Sequence, residues 1–307
     1  MINYQEMLPC EGYSVLMSVY AGSDPGQLEA ALNSMLRQTL PTDDLVLVCD
    51  GPLTPALDAV IETTFAAFPR ILQVLRLPRH AGLVTALNTG LARCRHELVA
   101  RMDSDDISLP HRCQQQVSFL TGHPELAIVS STVLEFTASP AHITGQRALP
   151  LEHEALCRFS RKRSPFNHPA VMYRKSAVAA VGGYRGDYPL FEDYDLWVRM
   201  LRVGFRGENL REPLLFMRSG PGMYRRRGGS RYALNLLRFH GRLCREGWSS
   251  PTDFLTGALP HALACLLPTV MLGLVYRWLH RKGECYGLPN PDRGHGALQP
   301  SRHLPGF

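Results

Sequence analysis

The acidic cluster Asp103, Asp105 and Asp106 directly follows an apolar stretch at residues 97–102. A chain leaves its pleat where a strand ends, so carboxylates two positions apart can turn toward one cation there. Carboxylate oxygens are the hard ligands that magnesium and manganese prefer. Acidic residues before a helix can also form a solvated loop that caps that helix. The cluster by itself therefore leaves a metal site and a capping loop as alternatives.

A second acidic pair, Glu192 and Asp193, opens an amphipathic segment at residues 192–203. Negative side chains stabilise the start of a helix through the helix dipole, which gives the pair a structural explanation. A carboxylate held near a metal-bound phosphate could instead take the proton from an incoming hydroxyl group. Taken alone, the pair does not decide between these two roles.

A third motif combines a turn that contains His80 and Gly82 with the helical positions Ala86, Asn88 and Gly90. Small residues at close spacing let a backbone approach a nucleotide. An ordinary strand-to-helix turn can have the same composition. This motif gains a functional meaning only from its place beside the others.

The elements that must position these residues alternate regularly in the first half of the chain. Runs typical of strands occur at residues 14–19, 45–49, 71–75 and 97–102, and helical spacing of apolar residues occurs at 27–38, 55–68 and 83–94. This alternation predicts a parallel sheet with helices on both faces. Ligands bind beyond the carboxyl ends of such strands, where Tyr20, Asp50, His80 and Asp103 fall.

The second half of the chain is less regular. We predict helices at residues 111–121, 151–159, 174–180 and 192–203, strands at 126–132 and 167–173, and a loop at 137–146. Asp106 is expected to do no more than cap the helix that begins at about residue 111. From residue 283 the chain is rich in Gly, Pro and His without periodicity, which predicts a disordered tail.

The positive charge is concentrated in the last third of the chain. The 307 residues carry a net charge of +6, but residues 218–307 contain 13 Lys and Arg against 4 Asp and Glu, whereas the rest contains 20 against 23. Such a distribution indicates an anionic partner, either a membrane surface or a phosphate-rich ligand. The eight cysteines form no Cys-x-x-Cys pair, and residues 1–12 lack a signal peptide. We therefore predict reduced thiols and a cytosolic location.

The longest apolar run spans residues 262–276, and Pro268 interrupts it. Fifteen residues fall short of the roughly 20 that a membrane-spanning helix needs. The run is followed by basic residues at 277–282. It could form a helix that packs on the body of the protein or one that lies in the membrane interface, and the basic surplus favours the second.

The order of these motifs resembles that of the family-2 glycosyltransferases of GT-A fold. The resemblance covers residues 15–229 and is carried by the strand ends at Tyr20 and Asp50, the acidic cluster, the Asn-His-Pro sequence that begins at Asn167, and the segment that begins at Glu192. The residues of these motifs are most similar to those of bacterial exopolysaccharide and O-antigen transferases of the amylovoran-biosynthesis type. The resemblance implies an α/β GT-A fold with a mixed central sheet, helices on both faces and a C-terminal helical basic segment.

The resemblance also implies a domain plan. A catalytic domain would span residues 1–229, with a nucleotide-binding half at about 1–110 and an acceptor half at 111–229. C-terminal helices at 230–282, which would associate with a membrane, and the tail would follow.

On the donor side, the resemblance implies roles at the ends of the first four strands. The uracil and ribose would be held by Ser18, Tyr20 and Asp50. The nucleotide pocket would be lined by His80 and Gly82. Arg101 and Asp103 would face the donor sugar and the ribose, and Asp105 would be the principal metal ligand, supported by Asp103.

On the acceptor side, Asp193 would be the general base and Glu192 would support the acceptor. His168, Arg225 and Arg227 would contact a diphosphate or the acceptor. A solvated or lipid-facing basic loop remains an equal alternative for residues 225–227.

The implied reaction is a single inverting transfer. The metal would be manganese or magnesium, the donor UDP-Gal or UDP-GlcNAc, and the acceptor a lipid-diphosphate-linked saccharide. The enzyme would lie on the cytoplasmic face of the inner membrane, bound to its anionic surface, with no nucleic-acid partner. The Gln-x-x-Arg-Trp motif of processive synthases does not occur in this chain, which predicts addition of one sugar.

Three rival classes fit the sequence less well. A phosphatase with an Asp-x-Asp nucleophile would carry that motif on the first strand, and a sugar nucleotidyltransferase would follow that strand with Gly-x-Gly-x-x-Arg. Neither pattern is present at Tyr20–Asp24. A non-catalytic carbohydrate- or lipid-binding protein would explain the basic tail but not both acidic motifs.

Overall fold

The computed structural model describes residues 12–220 and 228–266. The predicted ligands Arg225 and Arg227 and the predicted tail lie outside these ranges. Nine strands of the described residues form one sheet: β1 (Tyr13–Val19), β2 (Asp44–Cys49), β3 (Leu72–Arg76), β4 (Leu98–Asp103), β5 (Ile107–Ser108), β6 (Leu126–Phe136), β7 (Ile143–Arg147), β8 (Met172–Arg174) and β9 (Arg206–Arg218).

The helices flank this sheet. They are α1 (Pro25–Leu36), α2 (Pro55–Ala67), α3 (Leu83–Arg93), α4 (Arg112–Gly122), α5 (His153–Phe159), α6 (Lys175–Ala180), α7 (Glu192–Arg202), α8 (Ser230–Arg245), α9 (Pro251–Asp253) and α10 (Leu259–Cys265). A π-helical turn at Phe254–Ala258 joins α9 to α10.

The strand order is β3-β2-β1-β4-β8-β6-β9-β5, with β7 paired to β6. The first four strands in this order are parallel, which brings their carboxyl ends to one edge. The strands β8, β7 and β5 run antiparallel to their partners and make the sheet mixed. The predicted alternation in the first half and the predicted mixed GT-A sheet are therefore confirmed.

Local sequence explains the helix starts in this half. The Asp24 carboxylate accepts a hydrogen bond from the backbone N–H of Gln27 at 2.9 Å, and Pro25 takes the first position of α1. Thr54 and Pro55 play the same parts for α2. A proline at the first helical position loses no helical hydrogen bond, because that N–H would be unpaired anyway.

Two apolar cores lie on the two faces of the sheet. Strands β1 and β2 are buried along almost their whole length, so both of their faces are covered. One core includes Val15 and Leu45 with the buried side of α1, and the other includes Leu16 and Val46 with α3 and Trp197 of α7. Burial on both faces is what makes these strands continuous apolar runs in the sequence.

Four elements from β5 onward differ from the prediction. The segment 137–146, expected to be a loop, contains most of β7, and residues 167–173 begin with a 3₁₀ turn at His168–Ala170 before β8. The strands β5 and β9 were not predicted. In β9 the exposed polar residues and Pro213 break the apolar alternation, and pairing with β6 stabilises the strand instead.

A third apolar cluster joins the C-terminal helices to α7. It includes Tyr194 and Val198 of α7, Phe239 of α8 and Cys265 of α10. No helix within residues 12–220 and 228–266 is long and apolar enough to span a bilayer. The apolar run predicted at 262–276 is described only as far as Leu266.

Candidate active site

Asp50 organises the turn beyond the end of β2. Its buried carboxylate accepts hydrogen bonds from the backbone N–H groups of Ala81 at 2.7 Å and Gly82 at 3.0 Å. The same carboxylate lies 2.9 Å from His80 Nδ1. The Tyr20 and His80 rings, both largely exposed, lie 6.2 Å apart at this edge. The structure thus brings together four of the predicted nucleotide-binding residues around one turn.

The neighbouring strands bring Ser18, Arg101 and Asp103 to the same place. Ser18 of β1 pairs in register with Asp103 of β4. Arg101 is buried, with 2% of its side chain exposed, and its Nη2 forms an ion pair with Asp103. Its Nε and Nη1 atoms have no hydrogen-bond partner among the described residues. Arg101 therefore lies beneath the acidic cluster as a buried cation.

The acidic cluster is compact. Carboxylate oxygens of Asp103, Asp105 and Asp106 all lie within 4.8 Å of one another. Burial raises the pKa of Asp106 well above its usual range, and the charges of Asp103 and Asp105 raise it further. A carboxylate at such a position is costly to ionise unless a cation lies close to it.

Asp106 does not cap the next helix, so that expectation is wrong. Helix α4 begins after His111 without any side-chain cap. The Asp106 Oδ1 atom instead accepts a hydrogen bond from the backbone N–H of Arg218 at 2.7 Å, and the Arg218 Nε donates to the Asp105 carbonyl at 3.0 Å. The end of β9 therefore fixes the acidic turn. Sequence reasoning missed Arg218 because it lies 112 residues from Asp106 along the chain.

The three carboxylates fit a divalent cation. The buried Oδ2 of Asp106 has no hydrogen-bond partner among the described residues. With all groups ionised, the three carboxylates outnumber the two arginines that contact the turn, Arg101 and Arg218, and a net negative charge remains. Hard oxygen donors and this charge suit magnesium or manganese. Asp106 thereby becomes a third candidate ligand beside the predicted Asp103 and Asp105.

Tyr184 is a buried residue that senses the charges of both acidic motifs. Burial raises its pKa, and the charges of both Asp193 and Asp103 act on it as well, so both carboxylates lie within electrostatic reach of its phenol group. The pKa of Glu192 is also raised, chiefly by burial. Asp193 at the start of α7 and Asp103 of the acidic cluster therefore share Tyr184 as a neighbour. Tyr184 was not predicted, since its only sequence signal is the preceding Gly182 and Gly183, both with positive φ.

His168 is a neighbour of Tyr184. It is half-buried, and its Nε2 atom lies 3.1 Å from the Tyr184 hydroxyl group. Burial and the Arg101 charge lower the pKa of His168 well below its usual range, so the imidazole is neutral near pH 7. Its predicted contact with a diphosphate or the acceptor stays a prediction, and a neutral ring would contribute hydrogen bonds rather than charge.

The small residues of α3 serve packing rather than backbone access to a nucleotide. A Cβ on Gly90 would lie 2.4 Å from Leu16 Cδ1 and 2.8 Å from Val48 Cγ2, so glycine lets the helix approach the sheet. The Asn88 side chain accepts a hydrogen bond from the Tyr184 N–H and donates one to the Tyr184 carbonyl, both at 2.9 Å. Asn88 thus links the nucleotide-binding half to the turn before Tyr184.

The family model for glycosyl transferase family 2 matches residues 14–182. The chain belongs to this family. Its fold is the GT-A fold, and the protein is an enzyme, a glycosyltransferase. The matched segment contains the turn around Asp50 and the acidic cluster, whereas Glu192 and Asp193 lie beyond it.

Relatives resemble this transferase along most of its length. It is 35% identical over 272 residues to the UDP-Gal:alpha-D-GlcNAc-diphosphoundecaprenol beta-1,3-galactosyltransferase of Escherichia coli, covering 88% of this chain and 97% of the relative. It is 36% identical over 274 residues to the amylovoran biosynthesis glycosyltransferase AmsE of Erwinia amylovora, covering 88% of this chain and all of the relative. Both relatives therefore include the segment from α7 to the C-terminal helices.

Solved structures share the fold. The mannosyltransferase PcManGT of Pyrobaculum calidifontis, in complex with GDP-Man and Mn²⁺, has a TM-score of 0.61 at 18% identity, over 90% of this chain and 83% of that one. TarS 1–349 of S. aureus, in complex with UDP-GlcNAc, has a TM-score of 0.55 at 17% identity, over 74% of this chain and 66% of that one. At these identities the likeness supports the fold and leaves the substrates open.

Proposed function

We propose that this transferase moves one sugar from a UDP-sugar to a lipid-diphosphate-linked saccharide, in the assembly of a bacterial surface polysaccharide. The observation that carries the proposal is the convergence of the acidic cluster with the turn held by Asp50. A nucleoside diphosphate needs both an aromatic and polar edge for the nucleoside and a cation for the phosphates. The name of the Escherichia coli relative supports UDP-Gal as the donor and a GlcNAc-diphospholipid as the acceptor. UDP-GlcNAc is the second donor to test.

On the donor side, Tyr20 and His80 would contact the uracil, and Ser18, Asp50 and Gly82 would hold the ribose. Manganese or magnesium held by Asp103, Asp105 and Asp106 would neutralise charge on the leaving diphosphate. Arg101 is too deeply buried to contact the donor sugar and would instead keep Asp103 oriented from beneath.

On the acceptor side, Asp193 would take the proton of the attacking hydroxyl group. The oxygen would then attack the anomeric carbon opposite the leaving UDP, so the configuration inverts. Glu192 would orient the acceptor. Because burial raises the pKa of Glu192, this residue is the alternative base, and matched variants decide between the two.

We also propose that the enzyme binds the anionic cytoplasmic face of the inner membrane, where a lipid-linked acceptor resides. The exposed residues Arg231, Leu234, Arg238 and Arg245 recur at helical spacing and form one stripe on α8. Arginines interleaved with an exposed leucine suit a surface of anionic headgroups. Flotation with vesicles that contain or lack phosphatidylglycerol measures this binding, and equal recovery with both would remove the electrostatic argument.

The transfer assay uses UDP-Gal, UDP-GlcNAc and UDP-Glc with Mn²⁺ or Mg²⁺, a synthetic GlcNAc-diphospholipid acceptor, and parallel samples with chelator. We expect one added sugar per acceptor, a β linkage from an α-linked donor, and loss of activity with chelator. Asp193→Asn should abolish transfer while donor binding persists, and Glu192→Gln should retain part of the activity. Neither transfer nor UDP release from any of these donors would refute the proposed function.

A further inference from the structure

A buried carboxylate lies in α7 two residues after Asp193. The side chain of Asp195 is 2% exposed and contacts two arginines. Its Oδ2 atom accepts a hydrogen bond from Arg199 Nε at 2.7 Å, and its Oδ1 atom pairs with Nη2 of Arg242 on α8. A carboxylate in such a site must keep both oxygens satisfied, because an unpaired buried charge is costly. The orientation of the first turn of α7 is thereby tied to α8.

Arg199, one of the two arginines that contact Asp195, also contacts the turn before Tyr184. The Arg199 Nη2 atom donates to the carbonyl of Gly183 at 2.7 Å, in the turn that directly precedes Tyr184. Tyr184 is in turn held by Asn88 of α3. A continuous chain of polar contacts therefore runs from Arg242 through Asp195 and Arg199 to Gly183, directly before Tyr184.

Arg242 is itself rigidly placed. Its side chain is 15% exposed, and its guanidinium lies 4.8 Å from the ring centroid of Tyr188 and 5.3 Å from that of Phe239. Tyr188 belongs to the connection into α7, where Leu190 adopts a positive φ of 70°. Arg242 thus contacts both the helix that carries the candidate base and the segment that leads into it.

We propose that Arg242 is a positioning residue for the two candidate general bases, Glu192 and Asp193. Through Asp195 and Tyr188, α8 sets the direction in which the start of α7 presents its carboxylates to the acceptor. Helix α8 lies outside the segment that the family model matches, so the family motif assigns no such role to it. The proposal rests on the proposed function, since it needs a base at the start of α7.

The chain contains a matched control for this test. Arg202 of α7 and Glu246, directly after α8, form a second ion pair between the same two elements, but their side chains are 34% and 36% exposed. Exposed ion pairs contribute little to a fixed geometry, since water and salt screen them. Glu246 also lies 3.8 Å from Arg242 Nε, so the control is made at Arg202 instead. Arg202→Met removes the exposed contact between these helices without removing a contact of Arg242 or Asp195.

The experiment compares Arg242→Met with Arg202→Met and the parent enzyme. UDP binding in the presence of Mn²⁺, measured by calorimetry, gives the number of binding-competent sites, and kcat of sugar transfer is expressed per such site. A purely structural role would lower the number of sites and leave kcat per site unchanged. We expect Arg242→Met to lower kcat per site about 10- to 100-fold with an unchanged Kd for UDP, because small displacements of a catalytic group have effects of that size.

Arg242→Lys keeps the charge but loses the planar fork, so it should restore kcat only in part. If Arg242→Met does not fold, Arg242→Lys alone decides, with an expected severalfold loss of kcat per site. A kcat per site within twofold of the parent in the folded variant, or an equal loss in Arg202→Met, would overturn the proposal. Failure of the proposed function is separate, because the parent enzyme would then show no transfer at all.

Discussion

Replacement of Asp50 by alanine tests whether the turn at His80–Gly82 belongs to the nucleotide pocket. The carboxylate accepts hydrogen bonds from Ala81 N and Gly82 N, at 2.7 and 3.0 Å. Hydrogen bonds to a charged group contribute about 1.5–3 kcal/mol each. Ala81 is exposed and Gly82 half-buried, so water partly replaces the lost partner and the lower end applies. The exposed His80 adds little, because solvent screens its interaction.

We therefore expect Asp50→Ala to release the turn at a cost of about 2–3 kcal/mol. Binding of UDP must then restore the order of the turn, which weakens the affinity roughly 30- to 150-fold. Asp50→Asn keeps a neutral acceptor oxygen and should fall between the alanine variant and the parent.

Calorimetric titration with UDP and Mn²⁺ measures these affinities. Asp58→Asn is the control, since Asp58 forms a partly exposed ion pair with Arg76 instead of accepting hydrogen bonds from the turn. A Kd for UDP within threefold of the parent in folded Asp50→Ala would refute the assignment of this turn to the nucleotide.

Three further predictions concern the metal, pH and packing. Asp105→Asn should abolish Mn²⁺ binding seen by electron paramagnetic resonance and lower transfer at least about 100-fold, whereas retained binding would contradict its role as ligand. Burial between Tyr194 and Phe239, with His261 nearby, lowers the pKa of His240 to about 4. In the unfolded chain this imidazole binds a proton at about pH 6.5. Protonation therefore favours the unfolded state at lower pH: the free energy of unfolding is highest above pH 6.5 and falls by roughly 3 kcal/mol as the pH drops to 4. Chemical denaturation should show a smaller fall for His240→Phe, and equal slopes would exclude His240 as the cause. Gly90→Ala should destabilise the protein by about 1–3 kcal/mol because its Cβ would overlap Leu16, whereas Gly241→Ala, with open space around it, should not.

Helix α7 shows how function and packing divide within one motif. The charge of Asp193 acts on Tyr184, as does that of Asp103, while Asp195 is buried between two arginines. The three acidic residues look equivalent along the chain, since any of them stabilises a helix start. Their burial separates a candidate base from a carboxylate that fixes the helix.

The sequence by itself determined the first half of the fold and the position of the acidic cluster. Strands β1 and β2 are buried on both faces, so they appear in the sequence as continuous apolar runs. Pro25 and Pro55 indicate where the helices α1 and α2 begin. Parallel strands bring their carboxyl ends to one edge, which is why the residues after β1, β2 and β4 could be grouped in advance.

Only the tertiary structure decided which distant residues complete the site. The strand β9 is polar along much of its length and becomes a strand through its pairing with β6. That pairing carries Arg218 to Asp106, and the packing of α8 carries Arg242 to Asp195. These contacts join residues that lie far apart in the chain, so the periodicity of the sequence does not reveal them. They form because buried charges need partners and because the strands pair over long distances in the sequence.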